Sequence, residues 1–348
     1  MEIQIGIDTI SFYHCLSPKQ KRKITEKLTV LSQFRPIKED YENDSYEYIS
    51  DYFAMQGVKL RISRIEGSVW GLYVIVHPTL VLGEDDRSAL YQASKPSYNK
   101  IVRAVDKMLK SVNVPLSLDE MSIYRPDVTT NLIFDDGRLV DEYIRILKKS
   151  KILPHYRVDY FRDKEKKAKD CKLANRHSHK QYCKSAAFFV YDKTAQLEMI
   201  DHFPDALIGK KVLRLEAQLR RSALKKWVGK KPGNNWEIIR DIYKNGPKII
   251  NWYLKRLQPS GNIVRYEDAV DLINGAKLKK KGKDRMLYLL RKTSDKDSLT
   301  NALEALTDQF GLNKNQCKTV LKKFIKLGIS PITLKNSSEL DELPSICL

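Results

Sequence analysis

The segment AAFFVYDKTAQLE (residues 186–198) carries Tyr191 two residues before Lys193, in otherwise apolar surroundings. A phenol is a poor nucleophile until its proton has somewhere to go, and a nearby ammonium stabilises the charge that builds on a phosphoryl group under attack. The pair therefore suits phosphoryl transfer through a covalent tyrosyl intermediate. Two more strand-like segments put polar residues on one face. In IYRPDVTTN (123–131), Asp127, Thr129 and Asn131 alternate onto one side. In VLRLEAQLRR (212–221), Arg214, Glu216, Gln218 and Arg220 share a side opposite Val212, Leu215 and Leu219. One such face usually means only solvent exposure. Three in one sheet make a polar groove, where the carboxylates of Asp127 and Glu216 suit a divalent metal.

The elements that must position these residues follow from periodicity. Ile3, Ile5, Ile10 and Phe12 flank Asp8 in a first strand, and residues 17–28 read as a short basic helix. Residues 58–66 and 69–77 form two strands about a Gly-Ser turn. Ile101, Val102, Val105, Met108 and Leu109 have the spacing of an amphipathic helix over 97–112. A strand at 121–134, a turn at Asp135-Asp136-Gly137 and a helix at 138–149 come next. The polar, basic run 162–184 reads as an exposed loop or extended hairpin, with strands at 185–193 and 211–220 after it and a helical stretch at 193–203 between them. Beyond residue 221 the pattern is helical, with a basic linker or loop at 272–285 and a helical end module over 299–335. The expected fold is α+β: a core of strands with covering helices at 1–225 and a smaller α-helical region at 226–348.

Composition narrows the partners. The chain has 348 residues, 42% of them hydrophobic, enough for one large core or two modest ones. No run approaches the roughly 20 apolar residues that span a bilayer, and the strand-like MEIQIGIDTI is not a signal peptide. Cys15, Cys171, Cys183, Cys317 and Cys347 are scattered without a CxxC pair, which suits a reducing cytoplasm and gives no disulfide framework or zinc site. The net charge is +20, and because cations and anions balance in residues 1–150, all of it falls in 151–348. A one-sided excess points to a polyanion, usually nucleic acid.

Taken in order, the motifs resemble those of the replication initiators of filamentous phages, the gene II-like or phage CRI family. LYVIVHPTLVLG (72–83) resembles the family's strand with Pro and Val-Leu-Gly, and IYRPDVTTN with the helix VDEYIRILKK resembles its Arg-x-Asp-Ala-Thr strand and helix. FFVYDKTAQLE resembles its Tyr-x-Lys-x-x-x-x-Glu element, and residues 212–229 its Arg-Phe-Glu-Ala-Arg element; Leu-Gly-Ile-Ser-Pro at 327–331 resembles a C-terminal turn. The likeness spans roughly 60–335 with short motifs, and rolling-circle plasmid initiators share the Tyr-x-Lys and Arg-x-Glu patterns.

The resemblance implies an antiparallel-sheet, HUH-like nuclease core at 1–225, a helical DNA-binding region at 226–348, and a strand-specific, nicking and rejoining endonuclease that initiates rolling-circle replication in the host cytoplasm. Tyr191 would attack a phosphodiester at the origin, on single-stranded or hairpin DNA, to give a 5′-phosphotyrosyl link and a 3′-hydroxyl. Lys193 would neutralise the transition state. Asp127 and Glu216 would hold Mg²⁺ or Mn²⁺, and Arg214 and Arg220 would contact phosphate. A host helicase is a further expected partner; a membrane is not. Other residues have plainer readings. His177-Ser178-His179 spells a His-x-His but lies in a lysine-rich stretch, read as a loop. His77 and Asp8 are outside metal candidates, and Glu198 reads first as a salt-bridge partner on a helix and second as a metal ligand. Lys279-Lys280-Lys281 reads as a solvated loop touching DNA backbone, with Tyr182 and Tyr124 as rival nucleophiles. The alternatives are a non-catalytic, sequence-specific DNA-binding regulator and a conjugative relaxase.

Overall fold

The computed structural model describes residues 1–30, 34–40, 45–66, 69–159, 177–200, 203–229, 233–257, 261–295, 298–346 and 348. In chain order the first elements are β1 (Glu2–Leu16), α1 (Pro18–Val30), β2 (Phe34–Asp40), β3 (Ser45–Ser50), β4 (Val58–Glu66), β5 (Val69–Val76), α2 (Pro78–Val81), α3 (Lys95–Ser111), β6 (Ser122–Phe134) and α4 (Gly137–Lys148). Then follow β7 (Arg157–Asp159), β8 (Ser178–Tyr182), β9 (Ala186–Asp192), α5 (Lys193–Met199), β10 (Lys211–Leu219), α6 (Arg221–Leu224), α7 (Asn235–Lys244) and α8 (Gly246–Leu257). The chain closes with β11 (Ile263–Val264), α9 (Tyr266–Gly275), α10 (Lys280–Ser294), α11 (Leu299–Phe310), α12 (Lys314–Lys326) and β12 (Glu342–Leu343).

Strands β1 to β10 make one antiparallel sheet in the order β2-β3-β4-β5-β1-β6-β10-β9-β8-β7, so the architecture is α+β. Alternation divides the central strands cleanly. Leu213, Leu215 and Ala217 of β10, Phe188 and Val190 of β9 and Val128 and Leu132 of β6 enter one continuous apolar core. Helices α3, α4, α7 and α8 bury their apolar stripes there. Phe188 stacks flat on Tyr253 of α8, with centroids 4.6 Å apart, and Tyr98 of α3 meets Trp236 of α7. The other face carries Asp127, Thr129 and Asn131 of β6, Arg214, Glu216 and Gln218 of β10, and Phe189 and Tyr191 of β9, in register. Val212 turns to this same face, not the opposite one, and packs with Ile133, Leu197 and Leu207 beyond the polar residues.

Three local features shape that face. A register shift between Ile7 and Thr9 of β1 leaves Asp8 as a bulge residue, which re-aims its side chain. Gly6 lets the chain at Leu90 and Tyr91 lie against β1: a Cβ there would sit 2.7 Å from Leu90 Cβ and 2.9 Å from the Tyr91 carbonyl. Pro126 cannot donate to a ladder, and the pairing of β6 with β10 stops one residue away, at Asp127.

The expected boundary at 225/226 falls before α7 and α8, which cover the sheet. The later helices α9 to α12 pack on one another instead. They are tied to the core by Lys149, whose Nζ donates to the carbonyls of Thr293, Ser294 and Asp295 at 2.6 to 2.8 Å and so caps α10. The basic run at 272–285 is not a linker: it spans the end of α9 and the start of α10. Much of the basic segment 162–184, expected as an exposed loop or extended hairpin, lies outside the described residues; within it 178–182 form strand β8, paired antiparallel with β7 and β9. Among the described residues no helix is long and apolar enough to cross a membrane, and Cys15, Cys183 and Cys317 are free.

Candidate active site

Tyr191 is the last but one residue of β9, and the chain turns into α5 immediately after it. Asp192 makes that turn: its carboxylate accepts from the Ala195 backbone N–H at 3.0 Å and caps the helix. Lys193 is therefore the first residue of α5 and not a strand residue, yet it still lines the same cavity as Tyr191. Thr194 fixes the helix to the sheet by accepting from Val212 N–H at 2.8 Å.

The cavity, of about 560 Å³, gathers Asp8, His77, Asp127, Tyr191, Lys193 and Glu216, with Lys59, Arg87, Arg125 and Lys180 around them. All four residues expected to do the chemistry thus share one depression, and each is less than a tenth exposed. The Tyr191 hydroxyl donates to Glu216 Oε2 at 3.2 Å, while Glu216 Oε1 accepts from Gln218 at 2.9 Å. Burial and the Glu216 charge push the Tyr191 phenol well above its ordinary 10, against the pull of Arg214. Burial and Asp8 raise Glu216 in turn, which makes it a stronger base for the phenolic proton. Burial and the neighbouring Arg214 lower Lys193 from 10.5 to about 7, where an amine can both neutralise charge and give up a proton.

Arg214 does not reach out to phosphate. It is 0% exposed and locked inward: NH1 pairs with Asp8 Oδ1 at 2.7 Å, Nε donates to Asn131 Oδ1 at 2.8 Å and NH2 to the Ser88 carbonyl at 2.6 Å. It holds the bulged Asp8 in place. Burial raises Asp8, but Arg214 and Lys193 outweigh it and keep the carboxyl below the ordinary range. Arg220 lies past the end of β10 and donates to the Lys184 carbonyl at 3.1 Å, away from the cavity. The cation sequence reasoning missed is Arg125. It grips Asp127 through Nε at 2.8 Å and NH2 at 2.9 Å, and the signal was its same-face spacing, two residues before Asp127. Even so, burial, Glu216 and Asp8 raise Asp127 well above the ordinary range.

His77, at the end of β5, belongs to this cavity. Thr9 Oγ1 donates to Asp8 Oδ2 at 3.0 Å and so accepts from His77 Nδ1 at 3.2 Å. That assigns the Nδ1–H tautomer and leaves the Nε2 lone pair as the ligand-capable one. Burial lowers the imidazole below 6.5, which keeps it neutral. Two buried carboxylates held up by burial and by neighbouring negative charge form a donor set short of positive charge, and His77 adds a nitrogen.

His179 is not in a loop but in strand β8, Ser178–Tyr182, paired with β9; His177 immediately precedes it. Both histidines turn to the face opposite Tyr191. His179 is buried beside Gln181, and burial lowers it to about 4. His177 Nδ1 lies 3.8 Å from Asp141 and 3.9 Å from Asp192. Among the described residues this trio is the group of three whose ligand atoms come within 4.8 Å of one another and could hold a metal ion. Asp8, Asp127 and Glu216 stand farther apart than that. Glu198 pairs with Lys211 at 3.4 Å on the surface. Tyr124 and Tyr182 lie away from the carboxylates.

No protein-family model matches the chain, and no curated protein matches it.

Proposed function

We propose that this chain is a rolling-circle replication initiator with an HUH-like core, a DNA strand-nicking and rejoining endonuclease whose nucleophile is Tyr191. The observation that carries the reading is the Tyr191–Glu216 hydrogen bond in a cavity that also holds Lys193 and Asp127. In the forward step the Tyr191 oxygen bonds to phosphorus and the bond from phosphorus to the 3′-oxygen breaks. The phenolic proton passes to Glu216, and Lys193 supplies one to the departing 3′-oxygen. The product is a 5′-phosphotyrosyl link and a 3′-hydroxyl, and reversal by another 3′-hydroxyl rejoins strands without a nucleotide cofactor.

Asp127 and Glu216, with Asp8 and His77 beside them, would hold Mg²⁺ or Mn²⁺, which polarises the phosphate when bound. Their spread suits an ion taken by one or two carboxylates together with substrate phosphate. Arg125 competes for Asp127 until then. The Asp141–His177–Asp192 trio lies on the opposite face of the sheet.

The test is incubation with a random-sequence single-stranded oligonucleotide pool in Mg²⁺ or Mn²⁺, followed by denaturing electrophoresis and mass-spectrometric mapping of adducts. A phosphotyrosyl adduct at Tyr191 is expected, lost in Tyr191→Phe while DNA binding persists. Binding without any adduct from the unaltered protein would sink the nuclease and leave the non-catalytic regulator.

A further inference from the structure

The sheet face that carries the cavity continues past it. Toward the start of β6, three tyrosines from three adjacent strands meet: Tyr13 of β1, Tyr73 of β5 and Tyr124 of β6. Tyr73 has its ring centroid 5.1 Å from both Tyr13 and Tyr124, at interplanar angles of 48° and 79°. None of the three stacks flat on another, unlike the Phe188–Tyr253 pair in the core, and all are half-buried. Arg61 of β4 lies over the Tyr73 ring, 4.4 Å from its centroid. The register that places Tyr124 here is itself irregular, because β6 shifts against β1 between Ser11 and Phe12.

A second aromatic pair lies between Tyr191 and the tyrosine trio along the strand direction, on the strands beyond β10. Phe189 and Tyr182, on β9 and β8, share the face, and Lys180 sits over both rings at 5.1 and 4.8 Å. Alternating rings and cations on an open sheet face fit one ligand chemistry: bases that stack on the rings and phosphates that meet the cations. Only unpaired bases offer their faces this way. A folded protein partner would need no such alternation, and duplex DNA would present phosphates alone.

We infer that Tyr13, Tyr73 and Tyr124, together with Tyr182 and Phe189, form a base-stacking track for single-stranded DNA across the mouth of the Tyr191 cavity. From Tyr124 to the row of Tyr191 is seven residues of strand, roughly 20 Å, which several nucleotides of extended strand would cover. The inference deepens the nicking reading and rests on it for the role of Tyr191: the enzyme takes its DNA already unpaired and holds it by its bases.

The test measures binding in the Tyr191→Phe protein, so that no cleavage intervenes. Fluorescence anisotropy compares oligo(dT) of about 12 nucleotides with an abasic strand of the same length and charge. The protein is expected to bind the base-bearing strand at least about 5-fold more tightly. Tyr73→Leu and Tyr124→Leu should each weaken oligo(dT) binding by about 5-fold or more and leave abasic binding unchanged, while Tyr73→Phe restores it. Equal affinity for both strands, or equal loss on both in the leucine variants, overturns the track. The first comparison needs no variant other than Tyr191→Phe to fold. Adduct formation is scored separately, so stacking without adducts refutes the nuclease and not the track, and adducts without stacking do the reverse.

Discussion

Lys193 is buried among groups of both signs, and its value near 7 ties stability to pH in a direction that can be worked out. Below about 7 the ammonium is present in the folded and unfolded chain alike, so the full cost of burying it stands. Between about 7 and 10.5 the unfolded chain binds more protons than the folded one, so folding becomes more favourable as pH rises. Lys193→Met removes the burden at every pH. The variant is expected to be more stable than the native protein at pH 6, with the gap closing by about 1.4 kcal/mol per pH unit above neutrality. Denaturant melts at a series of pH values check this, and a gap that widens with pH would show that Lys193 is held charged. The same substitution should cost adduct formation at least about 100-fold, in line with a proton donor facing the leaving oxygen. Stability and activity thus move in opposite senses at one residue, as expected where a site is built from buried charge.

At the scale of elements, the site depends on how closely the chain at Ser88–Tyr91 lies on β1, because Ser88 and Asn131 are what hold Arg214. Gly6→Ala would drive a methyl into Leu90 and the Tyr91 carbonyl, and backbone cannot step aside as a flexible side chain can. A loss of about 1–3 kcal/mol in unfolding free energy is expected, together with slower adduct formation. Gly275→Ala, with nothing within 4 Å of the added carbon, is the control and should be neutral. The strands and helices around the site were legible because their periods are strong: β4, β5, β6, α3 and α4 fall within two residues of their expected bounds. The hairpin of β2 and β3 was not, since FRPIKED offers a proline and charges in place of alternation. Tyr191, Asp127 and Glu216 could be grouped because same-face spacing survives folding, whereas Lys193 reaches the cavity from the first turn of α5. Arg214 misled, since a charged residue alternating with leucines reads as solvent-facing until a bulged Asp8 from a distant strand is seen to neutralise it. The His-x-His failed for a similar reason: a lysine-rich sequence hides an inner strand when the buried neighbours come from β9 and α4.

For the whole molecule, the question is what the uneven charge does. The net +20 falls in residues 151–348, and part of it is placed where it opposes folding. Lys280 and Lys281 stand exposed in the first turn of α10, which has no acidic residue and no side-chain cap. Cations at a helix N-terminus run against the dipole and cost a few tenths of a kcal/mol to about 1 kcal/mol each. Such a cost is offset if a polyanion lies over the turn in use. Replacing Lys280 and Lys281 together with alanine is therefore expected to stabilise the protein by about 1 kcal/mol while weakening its hold on DNA. The slope of log affinity for duplex DNA against log salt concentration should fall by about 1.8 in magnitude, at roughly 0.9 for each phosphate that is no longer neutralised. Adduct yield on short single strands should stay unchanged, because these lysines are not part of the Tyr191 cavity. Affinity titrations at a series of salt concentrations, run beside thermal melts, read both arms. An unchanged salt slope would mean that these lysines neutralise no DNA phosphate, and a lower melting temperature would mean that they support the helix instead.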